Sequence, residues 1–200
     1  MQDQWNQRYG DATYFYGIEP NDFLREKVHL LPARGRILTL AEGEGRNAIF
    51  LARQGFKVTA VDWSEVGLAK LSTWAKSEGL TVETVCGDIN KFDFGSQNWD
   101  GIVSIWFHQP SGERKELYPK IERALTSGGV FLLESYTPKQ LSFKTGGPQD
   151  VDMLVHATEL KSSLNKLQIE HCLETERDIH EGRGHNGRSA VVQLVARLLT

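Results

Sequence analysis

Short apolar runs alternate with longer segments of helical spacing over the first two thirds of the chain, and this alternation constrains the fold more than any other feature. The segments between the runs carry helix signals, such as Ser64 as an N-cap and Gly79 as a C-terminal stop. Strands that alternate with helices build parallel sheets, so the sequence predicts an α/β fold with a doubly wound, mostly parallel sheet. The predicted strands are residues 36–40, 58–61, 81–86, 100–106 and 130–135.

The last third of the chain departs from this alternation. Residues 137–165 are typical of loops and short helices. Residues 168–179 and 190–199 then predict two strands joined by a polar turn at 180–189, which is a hairpin and not another crossover. We expect this hairpin as an antiparallel addition at one edge, which makes the sheet seven-stranded.

The 200 residues predict a single domain in three parts. Residues 1–33 contain an irregular, aromatic-rich segment up to residue 19 and then a helix that opens at Pro20-Asn21-Asp22. Residues 34–135 form the alternating core. Residues 136–200 contain the irregular segment and the C-terminal hairpin.

Charge and cysteine content narrow the class of protein. The formal net charge of -3 gives no basic field for nucleic acid, and 24% charged with 40% hydrophobic residues is typical of a water-soluble globular domain. Cys86 and Cys172 have no partner motif, so we expect both as small buried side chains in a reducing compartment. No signal-peptide pattern or membrane-length apolar run is present. We expect a cytoplasmic protein, a monomer or homodimer, with neither nucleic acid nor membrane as a partner.

The stretch LAEGEGRNAIFLA, residues 40–52, follows the first strand and predicts a ligand-binding turn. Glycines there remove side chains where a ligand must approach the backbone, and the next helix offers free N–H groups at its start. The pattern resembles both dinucleotide-binding and adenosyl-binding loops. Glu42 and Glu44 disfavour a pyrophosphate and favour a cationic ligand. The alternative is two solvated glutamates beside a turn.

Two further acidic residues end neighbouring strands. Asp62, 17 residues after Gly45, can accept both hydroxyl protons of an adenosyl ribose, or it can cap the next helix. Gly87-Asp88-Ile89 follows the third strand, where the carboxylate can accept from an adenine amino group and the apolar residue can pack on the ring.

These motifs, E-G-E-G-R-N-A, V-D-W-S, G-D-I and WDGIVSIWFHQP, in this order and spacing resemble those of class I S-adenosylmethionine-dependent methyltransferases. The resemblance covers roughly residues 34–135. The G-R-N-A start of the helix and the segment RYGDATYFYGIEPNDFL are similar to the small tellurite-resistance and thiopurine-type methyltransferases. The resemblance implies a Rossmann-like fold, S-adenosyl-L-methionine as cofactor and methyl transfer to a small molecule.

The resemblance also implies roles for individual residues. Asp62 holds the ribose, Trp63 flanks the adenine, and Ser104 lies under the sulfonium side. Two residues depart from the family pattern: Thr39 stands where an acidic residue is usual, and Ala41 stands where the first glycine is usual. Ala41 is tolerable if its φ stays negative. The implied cofactor-binding residues are Ala41, Glu42, Gly43 and Asn47 around the methionine part, Asp62 and Trp63, Gly87, Asp88 and Ile89 at the adenine, and Ser104.

Aromatic residues suit the walls of a cavity that holds a cation and excludes water. We expect Trp5, Tyr9 and Tyr16 as a lid, or else as plain packing on the sheet. Trp106 and Phe107 are the expected floor.

Three residues are candidates for catalysis. His108 follows the fourth strand at the edge where such sheets bind ligands, and is either a general base or a solvated loop residue. Arg183 and His185 lie in the turn IHEGRGHNGRS, which either receives an anionic acceptor or is a solvated hairpin tip. No third ligand accompanies His180 and His185, so no metal site is expected. Glu134 either faces the pocket or caps the next loop.

The expected acceptor is a thiol or a chalcogen oxyanion, as the resemblance suggests. Two other functions stay open. A nicotinamide-dependent oxidoreductase would use the same first turn and Asp62, although no Y-x-x-x-K motif occurs. A non-catalytic adenosyl-binding module would keep the cofactor loops and lack an acceptor cavity.

Overall fold

Seven strands form one sheet in the computed structural model, which describes residues 2–199. The strand order is β3-β2-β1-β4-β5-β7-β6, and β7 runs antiparallel to both of its neighbours while the first five strands are parallel. This arrangement confirms the predicted fold class. The strands are β1 Arg36–Leu40, β2 Lys57–Asp62, β3 Val82–Cys86, β4 Trp99–Ile105, β5 Leu125–Tyr136, β6 Leu167–Glu181 and β7 His185–Leu198.

Helices cover both faces of the sheet. Successive residues of a strand point to opposite faces, so Ile37 packs in one apolar layer and Leu38 in the other. The layer of Ile37 receives α2, α3 and α4, and the layer of Leu38 receives α5 and α6. The helices are α1 Gln2–Tyr9, α2 Asp22–Lys27, α3 Arg46–Arg53, α4 Glu65–Ser77, α5 Ser111–Ala124 and α6 Ala157–Ser163, with 3-10 turns at Val28–Leu30, Ile89–Lys91, Pro138–Ser142 and Val151–Met153.

The structure differs from the sequence predictions in three elements. The N-terminal segment begins with α1, where an irregular segment was expected. β5 already begins at Leu125, because Trp99 pairs with it before a register shift. The predicted turn at 180–189 is wrong, since β6 and β7 pair as far as Glu181 and His185 and leave three residues for the turn. Polar residues suggested a loop there, but three of them, Glu181, His185 and Ser189, are buried.

The cysteines also differ from expectation. Cys86 is exposed and Cys172 is half-buried, so the prediction of two buried side chains is wrong. Cys86 ends β3, an edge strand whose residues are mostly exposed. Within residues 2–199, no helix combines the length and apolar character needed to cross a membrane.

The strand order places a crevice at the carboxyl edge of the sheet. The order reverses between β1 and β4, so the chain leaves these two strands in opposite directions. The loops that follow β1, β2 and β3 lie on one side of this point, and those after β4, β5 and β6 lie on the other.

Candidate functional site

The glycine-rich turn after β1 repeatedly adopts the left-handed conformation. Ala41 has φ 53°, Gly43 64° and Gly45 99°. The condition of a negative φ at Ala41 is therefore not met, and the residue carries backbone strain of about 1 to 2 kcal/mol. No other residue fits at position 45 without a shift of its surroundings, because a Cβ atom there would overlap the side chain of Leu71 on α4.

Both glutamates of this turn are buried, so the interpretation as solvated side chains is wrong. Glu42 Oε1 accepts from the backbone N–H groups of Asn47 (3.1 Å) and Ala48 (2.9 Å), at the start of α3. Glu44 accepts from Lys70 Nζ at 2.6 Å and from the Phe15 backbone N–H at 2.6 Å. Glu44 is therefore neutralised by a lysine, whereas Glu42 is held by uncharged donors.

Asp62 connects the loops after β1 and β2. Its Oδ2 accepts from Gly43 N at 2.8 Å and its Oδ1 from Ser64 N at 2.7 Å. Ser64 itself caps α4 by accepting from Gly67 N. The Asp62 carbonyl accepts from Gly87 N at 2.9 Å, which brings the third loop to the same place.

The third loop carries the predicted adenine-edge residues. Asp88 Oδ1 accepts from Asn90 N at 3.0 Å and caps the short 3-10 turn that begins with Ile89. Ile89 is buried and Asp88 is half-buried. Trp63, after β2, is also half-buried. The structure thus gathers the predicted residues of all three loops along one edge.

Two buried carboxylates at this edge lack a direct cationic partner among the described residues. Burial raises the pKa of Glu42 to about 7, although its backbone hydrogen bonds and Arg46 act against the rise. Burial also raises the pKa of Asp62, against its hydrogen bonds from Ser64 and Gly43. A ligand that brings a positive charge to Glu42 and hydroxyl groups to Asp62 would stabilise both charged forms. S-adenosylmethionine has these groups, so the residues fit it.

The N-terminal segment covers the first loop. The Tyr9 hydroxyl lies close to Gly43, where an added Cβ atom would be only 2.7 Å away. Trp5 stacks on Tyr9 with 5.6 Å between ring centroids. Tyr16 accepts from Arg8 Nη1 at 3.0 Å and lies 4.7 Å from the His185 ring. Tyr9 thus lies against the first loop and Tyr16 against the β6–β7 turn.

A cluster of aromatic rings lies at the other side of the crevice, and we call it the aromatic cluster. Trp106 stacks on Tyr136 at 4.5 Å, and Tyr136 stacks on His108 at 5.5 Å. His185 meets the Trp106 ring edge-to-face at 4.9 Å. The predicted residue Ser104 pairs with Leu40, directly before the first loop, and Ser104 and Phe107 both line a cavity of about 10 Å³ beside α5.

The two candidate histidines differ in their surroundings. Burial and the nearby His185 lower the pKa of His108 to about 3, so this ring is a weak base near neutral pH. Its Nδ1 lies 3.3 Å from Ser135 Oγ, and its Nε2 is enclosed without a partner in the described part of the chain. His185 is buried, with Nδ1 3.5 Å from Glu181 Oε2. The interpretation of the hairpin as a solvated tip is wrong for Glu181 and His185.

Arg183 lies outside the aromatic cluster. It is exposed, with its guanidinium 2.9 Å from Asp11 Oδ2 and over the ring of Phe15. His180 is exposed as well and contacts Asn186. Across residues 2–199, no three His, Cys, Asp or Glu side chains are grouped as metal ligands.

A buried network of charges supports the aromatic cluster. Glu134 is fully buried and accepts two hydrogen bonds from Arg177, at 2.9 and 2.7 Å. In the described part of the chain no backbone N–H of the next loop donates to its side chain, so the capping alternative is wrong. Asn21 donates to Glu134 at 2.6 Å and to Glu181 at 2.8 Å. Glu181 also accepts from Arg46 Nη2 and Trp106 Nε1, both at 2.5 Å.

Sequence reasoning missed most of this network. The partners of Glu134 and Glu181 lie up to 160 residues away, and no local pattern marks them. One signal was available in Glu-Gly-Arg-Gly-His, because two glycines around one residue indicate a tight turn. A tight turn pairs Glu181 with His185 across the hairpin.

The part of the chain from β1 to β5 is similar to a known protein family. Residues 37–129 match the model of the methyltransferase domain family. The probable S-adenosyl-L-methionine-dependent methyltransferase TehB of Haemophilus influenzae (strain 10810) is 36% identical over 106 residues, which cover 47% of this chain and 37% of the relative. The putative methyltransferase YqeM of Bacillus subtilis (strain 168) is 29% identical over 113 residues, covering 54% of this chain and 44% of the relative. The chain spans about a quarter to a half of the length of the curated relatives that it matches.

Solved structures share the fold over the whole chain. The crystal structure of TehB from Haemophilus influenzae superposes with a TM-score of 0.71 and 21% identity, covering 98% of this chain and 66% of the other. A protein solved in work on the conversion of a disulfide bond into a thioacetal group during echinomycin biosynthesis superposes with a TM-score of 0.79 and 16% identity, covering 100% and 92%. At sequence identities of 16% and 21%, these superpositions show that the fold is shared. Together with the domain match, they confirm the resemblance predicted from the motifs.

Proposed function

We propose that this chain, which carries a methyltransferase domain at residues 37–129 and is similar to the class I S-adenosylmethionine-dependent methyltransferases, transfers the methyl group of that cofactor to a small-molecule acceptor. The family and the relatives imply S-adenosylmethionine as the cofactor. The observation that carries the proposal is the pair of buried carboxylates, Glu42 and Asp62, that lack a cationic partner in the described chain and lie beside an aromatic cluster.

The predicted binding residues would divide the cofactor among the three loops. The methionine part would be surrounded by Ala41, Glu42, Gly43 and Asn47, and Glu42 would face its amino group. Asp62 would hold the ribose hydroxyls. The adenine would lie among Trp63, Gly87, Asp88 and Ile89. When bound, S-adenosylmethionine supplies an electrophilic methyl group on its sulfonium.

The aromatic cluster would form the acceptor side of the site. Its stacked rings exclude water and tolerate a nearby cation on their faces. Trp5, Tyr9 and Tyr16 would cover the bound ligands, as their positions over Gly43 and His185 suggest. A soft nucleophile, either a thiol or a chalcogen oxyanion, is the acceptor class that we propose from the resemblance to the tellurite-resistance and thiopurine-type enzymes.

Calorimetric titration with S-adenosylhomocysteine tests the cofactor, with NADH and NADPH as parallel ligands. We expect the wild-type protein to bind S-adenosylhomocysteine alone, and Asp62→Asn to bind it roughly 10- to 100-fold more weakly, because charge-assisted hydrogen bonds to the ribose are lost. Asp93→Asn is the matched control, since this exposed carboxylate also accepts a backbone N–H, from Gly95, and is not one of the predicted binding residues. Unchanged affinity in Asp62→Asn would refute the ribose role.

The outcomes separate the competing functions. Binding of a nicotinamide cofactor in place of S-adenosylhomocysteine would favour an oxidoreductase. Mass spectrometry of reactions with thiols and with tellurite detects methylated products. If the protein binds S-adenosylhomocysteine but no such product forms, a non-catalytic adenosyl-binding module is favoured.

A further inference from the structure

The turn between β6 and β7 brings one carboxylate and one imidazole together inside the protein. Glu181 and His185 are register partners across the turn, and both are 5% exposed. Gly182 and Gly184 make the close fit possible, because a Cβ atom on either would overlap Phe15 or Tyr16 of the N-terminal segment. The pair is therefore held from outside by that segment and from inside by the aromatic cluster.

The Glu181 carboxylate is fixed and charged. Trp106 Nε1 and Arg46 Nη2 each donate to Oε2, and Asn21 donates to Oε1. Burial alone would raise the pKa of Glu181, but the Arg46 guanidinium and His185 hold it well below its usual range. A carboxylate in this state accepts a proton-bearing nitrogen, so it selects the His185 tautomer with hydrogen on Nδ1.

That tautomer leaves a lone pair on His185 Nε2. This nitrogen has no hydrogen-bond partner among residues 2–199. The ring lies 4.7 Å from Tyr16, 4.9 Å from Trp106 and 5.4 Å from Tyr136, so the cluster that forms the proposed acceptor side surrounds it.

Burial, together with two nearby arginines, favours the neutral form of His185. Burial lowers its pKa, and Arg46 and Arg8 lower it further, against the opposing effect of Glu181. The other titratable groups that face it are His108, Tyr16 and Tyr136; burial keeps His108 uncharged and raises the pKa of both phenols. A neutral imidazole near pH 7 can accept a proton.

We propose that His185 Nε2 is the general base that removes the acceptor's proton and that Glu181 is the residue that positions it. The inference rests on the proposed methyl transfer and deepens it, since a base is needed for a protonated thiol and not for an oxyanion. The S–H bond breaks and its proton goes to Nε2. The sulfur electron pair forms the new bond to the methyl carbon, while the old carbon–sulfonium bond breaks and its electron pair remains on S-adenosylhomocysteine. The imidazolium then returns the proton to water.

The chain contains a matched control pair, His156 and Glu174, of which Glu174 lies on β6 as Glu181 does. His156 Nδ1 lies 3.5 Å from Glu174 Oε1, the same distance as in the buried pair, but both side chains are exposed. His156→Gln and Glu174→Gln therefore remove the same chemistry from an exposed pair whose side chains are not part of the cluster.

Two thiols of different acidity test the base. Benzyl mercaptan is protonated at pH 7, whereas 4-nitrothiophenol is ionised. We expect His185→Gln to lower kcat on benzyl mercaptan by roughly 10²- to 10⁴-fold and to change kcat on 4-nitrothiophenol by less than about tenfold, with KM for both little changed. Equal losses on both thiols would show a structural role and overturn the proposal, as would no loss on either.

The positioning role of Glu181 has its own signature. In the wild-type protein, activity on benzyl mercaptan should fall on the acid side with a pKa below the usual 6.5 of histidine. In Glu181→Gln this limb should move to lower pH and kcat should fall, because the carboxylate no longer favours the imidazolium. A loss of activity without a shifted limb would contradict the positioning role.

A measurement on the free protein separates this inference from the proposed function. Nitrogen-15 NMR should show His185 protonated on Nδ1 in the wild-type protein and in His156→Gln, but not in Glu181→Gln. Protonation of His185 on Nε2 in the wild-type protein would overturn the roles proposed for Glu181 and His185, even if methyl transfer is observed. If the wild-type protein binds S-adenosylhomocysteine but methylates neither thiol, the base assignment falls; if it fails to bind that ligand, the proposed function has failed instead.

Discussion

The two sides of the crevice hold their carboxylates in opposite ways. On the cofactor side, formed by the loops after β1, β2 and β3, Glu42 and Asp62 accept from backbone N–H groups no more than 19 residues away. On the proposed acceptor side, formed by the loops after β4 and β5 and the β6–β7 turn, Glu134 and Glu181 accept from side chains, which apart from His185 lie 43 to 160 residues away.

This difference has an electrostatic consequence. Backbone donors satisfy a carboxylate without neutralising it, so burial raises the pKa of Glu42 and of Asp62. Arginine donors neutralise it, and Arg46 helps to hold the pKa of Glu181 low. On the proposed cofactor side, Glu42 and Asp62 thus remain free to pair with a positively charged ligand, whereas the carboxylates of the proposed acceptor side are already paired with arginines.

The largest effect is expected on the acceptor side. Glu134→Ala leaves Arg177 without its buried partner and removes an acceptor from Asn21 and Gln193. We expect a loss of about 3 to 5 kcal/mol in the free energy of unfolding, because three buried or half-buried donors lose their acceptor and Arg177 keeps only its longer contacts, to Asp22 at 3.4 Å and to Glu181 at 3.8 Å. Urea denaturation followed by circular dichroism measures it.

Glu78→Ala is the control for that loss. Glu78 accepts two hydrogen bonds from Arg53, as Glu134 does from Arg177, but this pair lies in solvent and should change stability little. Similar losses in the two variants would mean that the buried network does not hold the acceptor side together.

On the cofactor side, the expected effect depends on pH. The pKa of Glu42 is about 7 in the folded protein and about 4.5 ordinarily, so the folded state binds an extra proton between these values. The stability that the protonated form contributes is complete below about pH 4 and is lost as pH rises to about 7, a change approaching about 3 kcal/mol.

Glu42→Gln should remove this dependence, because the amide oxygen still accepts from Asn47 and Ala48 and does not ionise. At pH 8 the variant should be more stable than the wild-type protein by up to about 3 kcal/mol, and at pH 4 about as stable. Urea unfolding at pH 4, 6 and 8 gives the slopes. Glu44→Gln, which removes the partner of Lys70, should show no such gain; parallel slopes in Glu42→Gln and the wild-type protein would contradict the raised pKa.

The same contrast explains what could be predicted from the sequence. Alternating apolar runs predicted the order of strands and helices. The glycine turn, Asp62 and Asp88 lie at or just after the ends of strands, so local patterns also predicted that these residues share one edge of the sheet. The network around Glu134 joins α2, α3 and β6 through contacts that only the folded chain creates. Burial of Glu181 and His185 likewise depends on Phe15 and Tyr16, which lie more than 160 residues earlier in the chain. The polar residues of the turn, taken alone, suggested a solvated turn.

The smallest effect concerns Thr39, which replaces the usual acidic residue on β1. Its buried hydroxyl has no hydrogen-bond partner of normal geometry in the described chain, although it lies near enough to Glu42 to lower the pKa of that carboxyl. Thr39→Val removes an unsatisfied polar group at nearly constant volume, so we expect the free energy of unfolding at pH 7 to rise by about 1 kcal/mol.

Thr59→Val on the neighbouring strand provides the opposite case, since the Thr59 hydroxyl donates to Glu83 at 3.1 Å and its loss should cost about 0.5 to 1.5 kcal/mol. If Thr39→Val is instead destabilising to the same degree, the Thr39 hydroxyl donates to Glu42. The carboxylate would then be held by a side chain as well as by the backbone, and the division between the two sides of the crevice would be less complete than the hydrogen bonds indicate.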